Sequence, residues 1–482
     1  VRAGPNGMNR AVVRGAAAGL VAYLEAQPVN GPVVIGYDAR HGSADFAAET
    51  AAVVTGAGRG ALVLPGPLPT PVLAYAVRTL GAAAGVMVTA SHNPPADNGY
   101  KVYLGDGAQI APPADREIEH AIRAAGPLAD VPLGDTAQVL GGHLVQSYVD
   151  TVAALVDAGS PRDLRVAYTP LHGVGRDVLL AAFAAAGFPA PDVVAAQAEP
   201  DPDFPTVSFP NPEEPGAADL LLALAAETAA DVALANDPDA DRCAVAVPIG
   251  AGAWRMLSGD EVGVLLADHL LRRGAKGTFA TTVVSSSMLR AMAVARGVAY
   301  AETLTGFKWL ARAADDLAYG YEEALGYAVA PQVVRDKDGI SAALLVAELA
   351  ATLKASGITM LDRLDELAQE FGVHLTGPLT VRVDDLALIA AGMTRLRGAL
   401  PATLLGRPVT ETRDLLPDAD VVILRADGLR VVVRPSGTEP KLKAYLEVVE
   451  PVTTSPADAR AAAADQLAAL RAEVAALLGV TP

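Results

Sequence analysis

Cysteine is almost absent. Cys243 stands alone among 482 residues, which excludes an intrachain disulfide and any cysteine-rich zinc module and points to a reducing compartment. Long apolar runs are missing as well. Hydrophobic residues make up 51% of the chain, but they occur as alanine-rich stretches or short clusters such as Val431, Val432 and Val433. None approaches the ~20 residues that a membrane span needs. No basic segment followed by an apolar stretch opens the sequence, so no signal peptide is expected and a cytoplasmic location is. Positive charge is also short: 37 Lys+Arg against 55 Asp+Glu leave a net charge of −18. Such a chain repels phosphate backbones, which disfavours nucleic acid as a partner. Lysine is the scarcest cation, with seven against thirty arginines. A lysine kept against that bias marks a place where a compact ammonium is needed.

The composition that remains fills cores. Its length suggests roughly three domains. Helical and extended patterns alternate from the start: helix over 9–26, buried strand over 32–37, helix over 43–56, strand over 60–64, helix over 70–80 and strand over 85–89. The pattern restarts with a helix over 148–158 and strands at 164–168 and 232–236, and again from Gly259, with a strand over 278–284 and helices over 287–296, 309–317 and 340–352. Strands alternating with helices of this length predict α/β units. The tail groups short strands at 380–383, 421–424, 429–433 and 443–449 before a long helix over 456–478, which reads as a smaller α+β domain. The expected domains are 1–144, 145–257, 258–372 and 373–482.

Four segments carry candidate chemistry. In Thr89-Ala-Ser-His-Asn-Pro-Pro-Ala-Asp-Asn-Gly-Tyr-Lys101, Ser91 follows a buried strand on a loop stiffened by Asn-Pro and Asn-Gly. A hydroxyl presented there can carry a phosphoryl group, with His92 and the rare Lys101 close by; taken alone, a surface loop of turn-capping residues reads as well. Asp237, Asp239 and Asp241 follow the strand at 232–236, and carboxylates at that spacing can converge on a hard cation, the bland alternative being a solvated acidic turn. An EF-hand is excluded, since Arg242 occupies its glycine position and Pro248 its glutamate. Asp237 as the nucleophile of a phosphatase remains a rival. Glu322 and Glu323, flanked by Tyr321 and Tyr327, suit sugar hydroxyls and sugar faces, although a helix surface would read the same. Arg434-Pro-Ser-Gly-Thr438, with Lys441 and Lys443, offers hydroxyls, free N–H groups and cations for a phosphate. Two short segments, around Thr305, Gly306 and Lys308 and around Lys337, hold rare lysines too.

TASHNP, DPDADR, a Glu-Glu loop and RPSGTEP, in this order, resemble the α-D-phosphohexomutase superfamily over essentially the whole chain. The resemblance implies a heart-shaped enzyme of three related α/β domains and a C-terminal α+β domain around one cleft. It implies Ser91 as a phosphoserine, and one Mg²⁺ held by Asp237, Asp239, Asp241 and the Ser91 phosphate. His92, Lys101 and Arg242 would serve proton transfer and charge. Thr305, Gly306, Lys308, Glu322, Glu323 and Lys337 would bind the sugar, and Arg434, Ser436, Gly437, Thr438 and Lys443 the phosphate remote from the reaction. The implied activity interconverts hexose 1-phosphate and hexose 6-phosphate of glucose or mannose through a sugar bisphosphate. Ala324, where many hexose enzymes carry serine, together with the TLTGFKW and DKDG segments, resembles the branch that also contains phosphopentomutases, so ribose or deoxyribose phosphates are the alternative. A sugar-phosphate phosphatase or a sugar-phosphate binder without catalysis would be distinguished by a coupled mutase assay. The family's glycine-rich opening with its cleft-facing arginine is expected before Val1. Reorientation of a bisphosphate predicts a hinging C-terminal domain, with its linker near 371–379. The oligomeric expectation is a monomer or dimer.

Overall fold

The computed structural model describes residues 1–382, 386–435 and 441–480. They form two compact units, one of residues 1–280 and 306–360, the other of residues 281–305 and 361–482.

The first unit holds two five-stranded sheets, each a parallel core with an antiparallel edge. In one, strands Val33–Tyr37, Ala61–Val63, Ala84–Val88 and Gln138–Val139 run parallel and Tyr100–Leu104 closes the edge antiparallel. In the other, Val166–Thr169, Asp192–Val193 and Val232–Ala235 are parallel, and Ala244–Gly250 and Ala253–Met256 run antiparallel. The central strands are buried along their length, as a sheet covered by helices requires. Arg10–Ala26 starts where the Asn9 side chain accepts from the Ala11 and Val12 amides, a strong N-cap. Gly339–Ala355 is buried on nearly every face. Its cap, Asp338, accepts from the Ile340 and Ser341 amides and from the Tyr148 hydroxyl at 2.8 Å.

Two expectations shift. The helix expected over 148–158 is His143–Ala153, because Leu144, Tyr148, Val149 and Val152 form its buried face. The helix expected over 309–317 is a single turn, Phe307–Leu310, followed by a strand, Leu317–Glu322. Tyr319 and Tyr321 alternate into the core there with no exposed surface, and Gly320 admits the Leu310 side chain where a Cβ would lie 2.2 Å from it. Two-residue alternation won over helix propensity.

In the second unit, a six-stranded antiparallel sheet runs in the order Val373–Arg382, Lys441–Glu450, Leu429–Pro435, Val422–Ala426, Arg407–Asp414, Thr403–Leu404. Pro456–Leu478, capped by the Ser455 side chain on the Asp458 amide, packs its Leu467, Leu470, Val474 and Leu478 on that sheet. Segment 371–379 is not a free linker. Gly372 (φ 88°) ends the helix Met360–Phe371, and residues 373–382 pair without a break against 441–450. Ten consecutive register partners make that stretch part of the sheet rather than a pivot.

Candidate active site

The site in the first unit grows from the ends of buried strands. The strand Ala84–Val88 delivers the serine loop. Ser91 takes a left-handed backbone (φ 50°), uncommon for a residue with a Cβ, while its amide donates to Thr89 Oγ1 at 2.9 Å. The Ser91 hydroxyl donates to Asp237 Oδ2 at 2.8 Å and lies 3.3 Å from His92 Nδ1. Lys101, expected on the loop, sits on the edge strand Tyr100–Leu104 opposite Met87. Its ammonium reaches Asp239 Oδ2 at 2.7 Å and Asp241 Oδ2 at 2.8 Å.

The acidic loop follows the strand Val232–Ala235. Ala240 adopts φ 54°, and the turn is fastened by the Arg242 amide on Asp237 Oδ1 (3.1 Å) and by Asn236 Nδ2 on the Arg242 carbonyl (2.6 Å). Asp237, Asp239 and Asp241 are all fully buried, with ligand atoms within 4.8 Å of one another. Burial, reinforced by Asp239 and Asp241, pushes the Asp237 carboxyl well above the usual range. Burial also opposes ionisation of Asp241, yet Lys101, Lys337 and Arg242 outweigh it and hold that carboxyl below its ordinary value. Lys337 Nζ stands 3.3 Å from Asp241, and Arg242 Nε 3.8 and 3.9 Å from Asp237 and Asp241. Arg242 first, then burial, drives His92 down to about 2, so its imidazole is neutral.

This cluster fits a hard divalent cation. Asp239 Oδ1 and Asp241 Oδ1 are buried without a hydrogen-bond partner, and lone buried carboxylate oxygens are costly unless something positive meets them. Asp237, Asp239 and Asp241 face the cations Lys101, Lys337 and Arg242. A dianionic phosphoryl group added at Ser91 would bring further negative charge, which a dication offsets.

The sugar-loop residues lie beside it. Glu322 ends the strand Leu317–Glu322, which pairs with Gly326–Ala328. Its carboxylate accepts the Gly306 amide at 2.8 Å, and burial raises its pKa although Lys337 and Arg242 partly offset that. Arg242 Nη1 donates to the Ala324 carbonyl at 3.0 Å, tying the acidic loop to the Glu-Glu turn. Lys308 Nζ lies 5.5 Å from the Trp309 ring centre, and Glu323 is half-buried. The flanking aromatics do not cover a sugar face. Tyr321 and Tyr327 are wholly buried, stacked at 6.5 Å, and their hydroxyls donate to Asp260 and to the Gly259 carbonyl.

In the second unit, Thr305 has a buried hydroxyl without a hydrogen-bond partner. Arg434 and Lys443 are register partners on neighbouring strands. Like charges facing across a ladder destabilise it unless an anion binds. Ser436, Gly437 and Thr438 lie outside the described residues.

Sequence reasoning missed several residues that hold this site. Thr70 donates to Asp239 Oδ2 at 2.6 Å. Tyr103 and Gln109 each donate to Asp336 Oδ2 at 2.7 Å, and Asp336 in turn stands 3.5 Å from Lys337 Nζ. Arg40, two residues beyond Asp38 at the end of the strand Val33–Tyr37, hydrogen-bonds the serine loop. The Asp-Ala-Arg at a buried strand end was the available signal.

Family models for phosphoglucomutase/phosphomannomutase match the chain four times in succession: alpha/beta/alpha domain I at residues 1–127, domain II at 146–250, domain III at 258–371 and the C-terminal domain at 380–476. A probable phosphomannomutase of Haemophilus influenzae is 47% identical over 92% of this chain and 93% of its own length. A phosphopentomutase of Mus musculus is 36% identical over 80% and 70%, and a phosphoglucomutase of Staphylococcus aureus 32% identical over 92% and 87%. Among solved structures, a putative phosphomannomutase of Thermus thermophilus superposes with a TM-score of 0.75 at 26% identity, covering 96% of this chain and 95% of that one.

Proposed function

The chain belongs to the phosphoglucomutase/phosphomannomutase family, and from that premise we propose how its residues divide the work of a phosphosugar mutase. It is an isomerase of the phosphomutase type, built as three α/β domains and a C-terminal domain. The proposed domain limits are 1–144, 145–257, 258–372 and 373–482.

The observation that carries the proposal is the Ser91 hydroxyl on Asp237, amid three buried carboxylates and three cations. Ser91 Oγ carries the phosphoryl group. It passes to the free hydroxyl of a sugar monophosphate, and the opposite phosphate of the resulting bisphosphate returns to Ser91. His92 Nδ1, 3.3 Å from Ser91 Oγ, orients that oxygen and lies beside the proton that leaves or returns as the serine gains or loses its phosphoryl group. Lys101, Lys337 and Arg242 surround the phosphoryl oxygens with fixed positive charge, which suits phosphoryl transfer, a reaction governed by positioning and charge. Asp237, Asp239 and Asp241 would hold Mg²⁺, which when bound would supply charge neutralisation for phosphoryl transfer. Glu322 and Glu323 accept from sugar hydroxyls, Gly306 and Lys308 line the same side, and Thr305 joins them. Arg434, Ser436, Gly437, Thr438 and Lys443 receive the phosphate that is not transferred.

The substrate is a hexose 1- or 6-phosphate of glucose or mannose, supported by the 47% relative named for mannose. Pentose phosphates form the second reading, supported by the phosphopentomutase at 36% identity. The test is a coupled mutase assay comparing kcat/KM for glucose, mannose, ribose and deoxyribose 1-phosphates with a bisphosphate activator. A hexose preference of at least ~10-fold is expected, since a lost hydrogen-bonding hydroxyl is discriminated strongly. Release of phosphate without isomer formation would replace the proposal by a phosphatase.

A further inference from the structure

We propose that Arg40 is a positioning residue for phosphoryl transfer, holding Ser91 on target by gripping the main chain of the serine loop. Arg40 is 4% exposed. Its Nη2 donates to the carbonyls of Ser91 and Asn93, both at 2.6 Å, and its Nη1 to those of Pro94 at 2.8 Å and Asp97 at 3.4 Å. One planar guanidinium therefore spans both ends of the loop, from the reacting serine to the residue before Asn98.

The grip is itself immobile. Asp38 Oδ2 lies 3.3 Å from Arg40 Nε. Asp38 Oδ1 accepts the Arg40 amide at 3.0 Å and the Ser43 hydroxyl at 2.6 Å. The Phe204 ring lies against the guanidinium, 4.9 Å from its centre, a favourable placement for a cation. The loop is thus referenced to the end of the strand Val33–Tyr37. Ser91 needs this: its left-handed backbone persists only where its surroundings over-determine it, and its own carbonyl is among the gripped groups. Arg40 acts through the loop, and its hydrogen bonds run to that loop and to Asp38, with none to Glu322, Glu323 or Lys308. Lysine keeps the charge but carries three donors on one atom and cannot reproduce a planar fork across four carbonyls.

The inference rests on the phosphoserine reading above, so its test has one arm that needs no catalysis. Hydrogen exchange on the full chain follows the amides of Asn93 and Asp97, which donate to the Ala90 and Pro94 carbonyls. In Arg40→Lys and Asp38→Asn these amides are expected to exchange at least ~10-fold faster, with the strand Ala84–Val88 unchanged. The second arm measures Ser91 phosphorylation by glucose 1,6-bisphosphate in rapid-quench intact-mass experiments. The rate constant is expected to fall about 10- to 100-fold in Arg40→Lys, with full final amplitude. Asp38→Asn keeps the shape of the pocket and carries both arms if Arg40→Lys does not fold. Unchanged loop exchange would overturn the proposal. So would a lowered amplitude at an unchanged rate constant, which marks only a smaller folded fraction. A wild type that takes up no phosphoryl group would overturn the phosphoserine reading, and exchange would still decide the grip.

Discussion

Gly173→Ala places a methyl group against the backbone of the acidic loop. A Cβ at position 173 would lie 2.4 Å from both Cα and the carbonyl oxygen of Pro238, between Asp237 and Asp239. Ordinary contact begins near 3.4 Å, so one backbone must retreat by about 1 Å. Retreat is constrained, because the Val174 amide holds that same Pro238 carbonyl at 2.9 Å and the Gly173 amide is bonded to Pro170. Displacement of about 1 Å at a reacting constellation costs about 100-fold in rate, whereas overpacking costs about 1–3 kcal/mol of stability. Gly173→Ala is therefore expected to fold, to lose about 100-fold in kcat and to need more Mg²⁺ for half-maximal activity. Gly142→Ala is the control: Gly142 has an ordinary φ of −62° and no atom within 4 Å of its would-be Cβ. The assay is coupled mutase turnover across a Mg²⁺ titration, beside chemical denaturation. Wild-type kcat and Mg²⁺ dependence in Gly173→Ala would refute the close-approach argument.

Lys101→Met should lower kcat by about 100-fold or more, since two buried carboxylates lose their shared cation; steady-state kinetics at saturating Mg²⁺ read this, and a loss under about 3-fold would contradict it. Chelation by EDTA should abolish turnover and excess Mg²⁺ restore it, with Zn²⁺ inhibitory because an oxygen-only site does not select it; activity unchanged in excess EDTA would refute the metal site. Glu348→Gln should destabilise the first unit by about 3 kcal/mol, because Glu348 accepts from His269, Arg273, Ser160 and the Asp157 amide. Burial opposes its charge, but those hydrogen bonds hold its pKa down to about 2, below the ordinary 4.5. The stabilisation is thus complete above 4.5 and lost as pH falls through about 2, so denaturation of wild type and variant should converge only in that acid window.

The parts of the site that the sequence displays are those built from consecutive residues. Ser91 follows its buried strand and the three aspartates follow theirs, at spacings that local geometry turns into proximity. The partners across the fold were hidden. That Lys101 would bridge Asp239 and Asp241, some 140 residues away, depends on the edge strand Tyr100–Leu104, whose alternation was masked by the turn-rich residues before it. Tyr321 and Tyr327 misled for a different reason. Beside two glutamates they read as sugar-facing rings, but two-residue alternation on a paired hairpin drives both into the core. Arg40 is marked only by the Asp-Ala-Arg at its strand end, because its work is done on main-chain carbonyls, which leave no mark in side-chain identity. The linker expected near 371–379 is strand from Val373 onward: Gly377 and Pro378 break a helix, yet both are accommodated opposite Leu446 and Tyr445. Pro378 lies on a strand at the end of the sheet order, where a missing N–H is tolerated.

The central claim is that Ser91 carries the phosphoryl group that is exchanged with the sugar. It is tested most directly by incubating wild-type protein and Ser91→Ala with glucose 1,6-bisphosphate and Mg²⁺, quenching, and mapping phosphopeptides by tandem mass spectrometry. One phosphoryl group on Ser91, removed again by excess sugar monophosphate with formation of bisphosphate, is the predicted result, with no label and no turnover in Ser91→Ala. A phosphoryl group on Asp237, or full mutase turnover in Ser91→Ala, would contradict it.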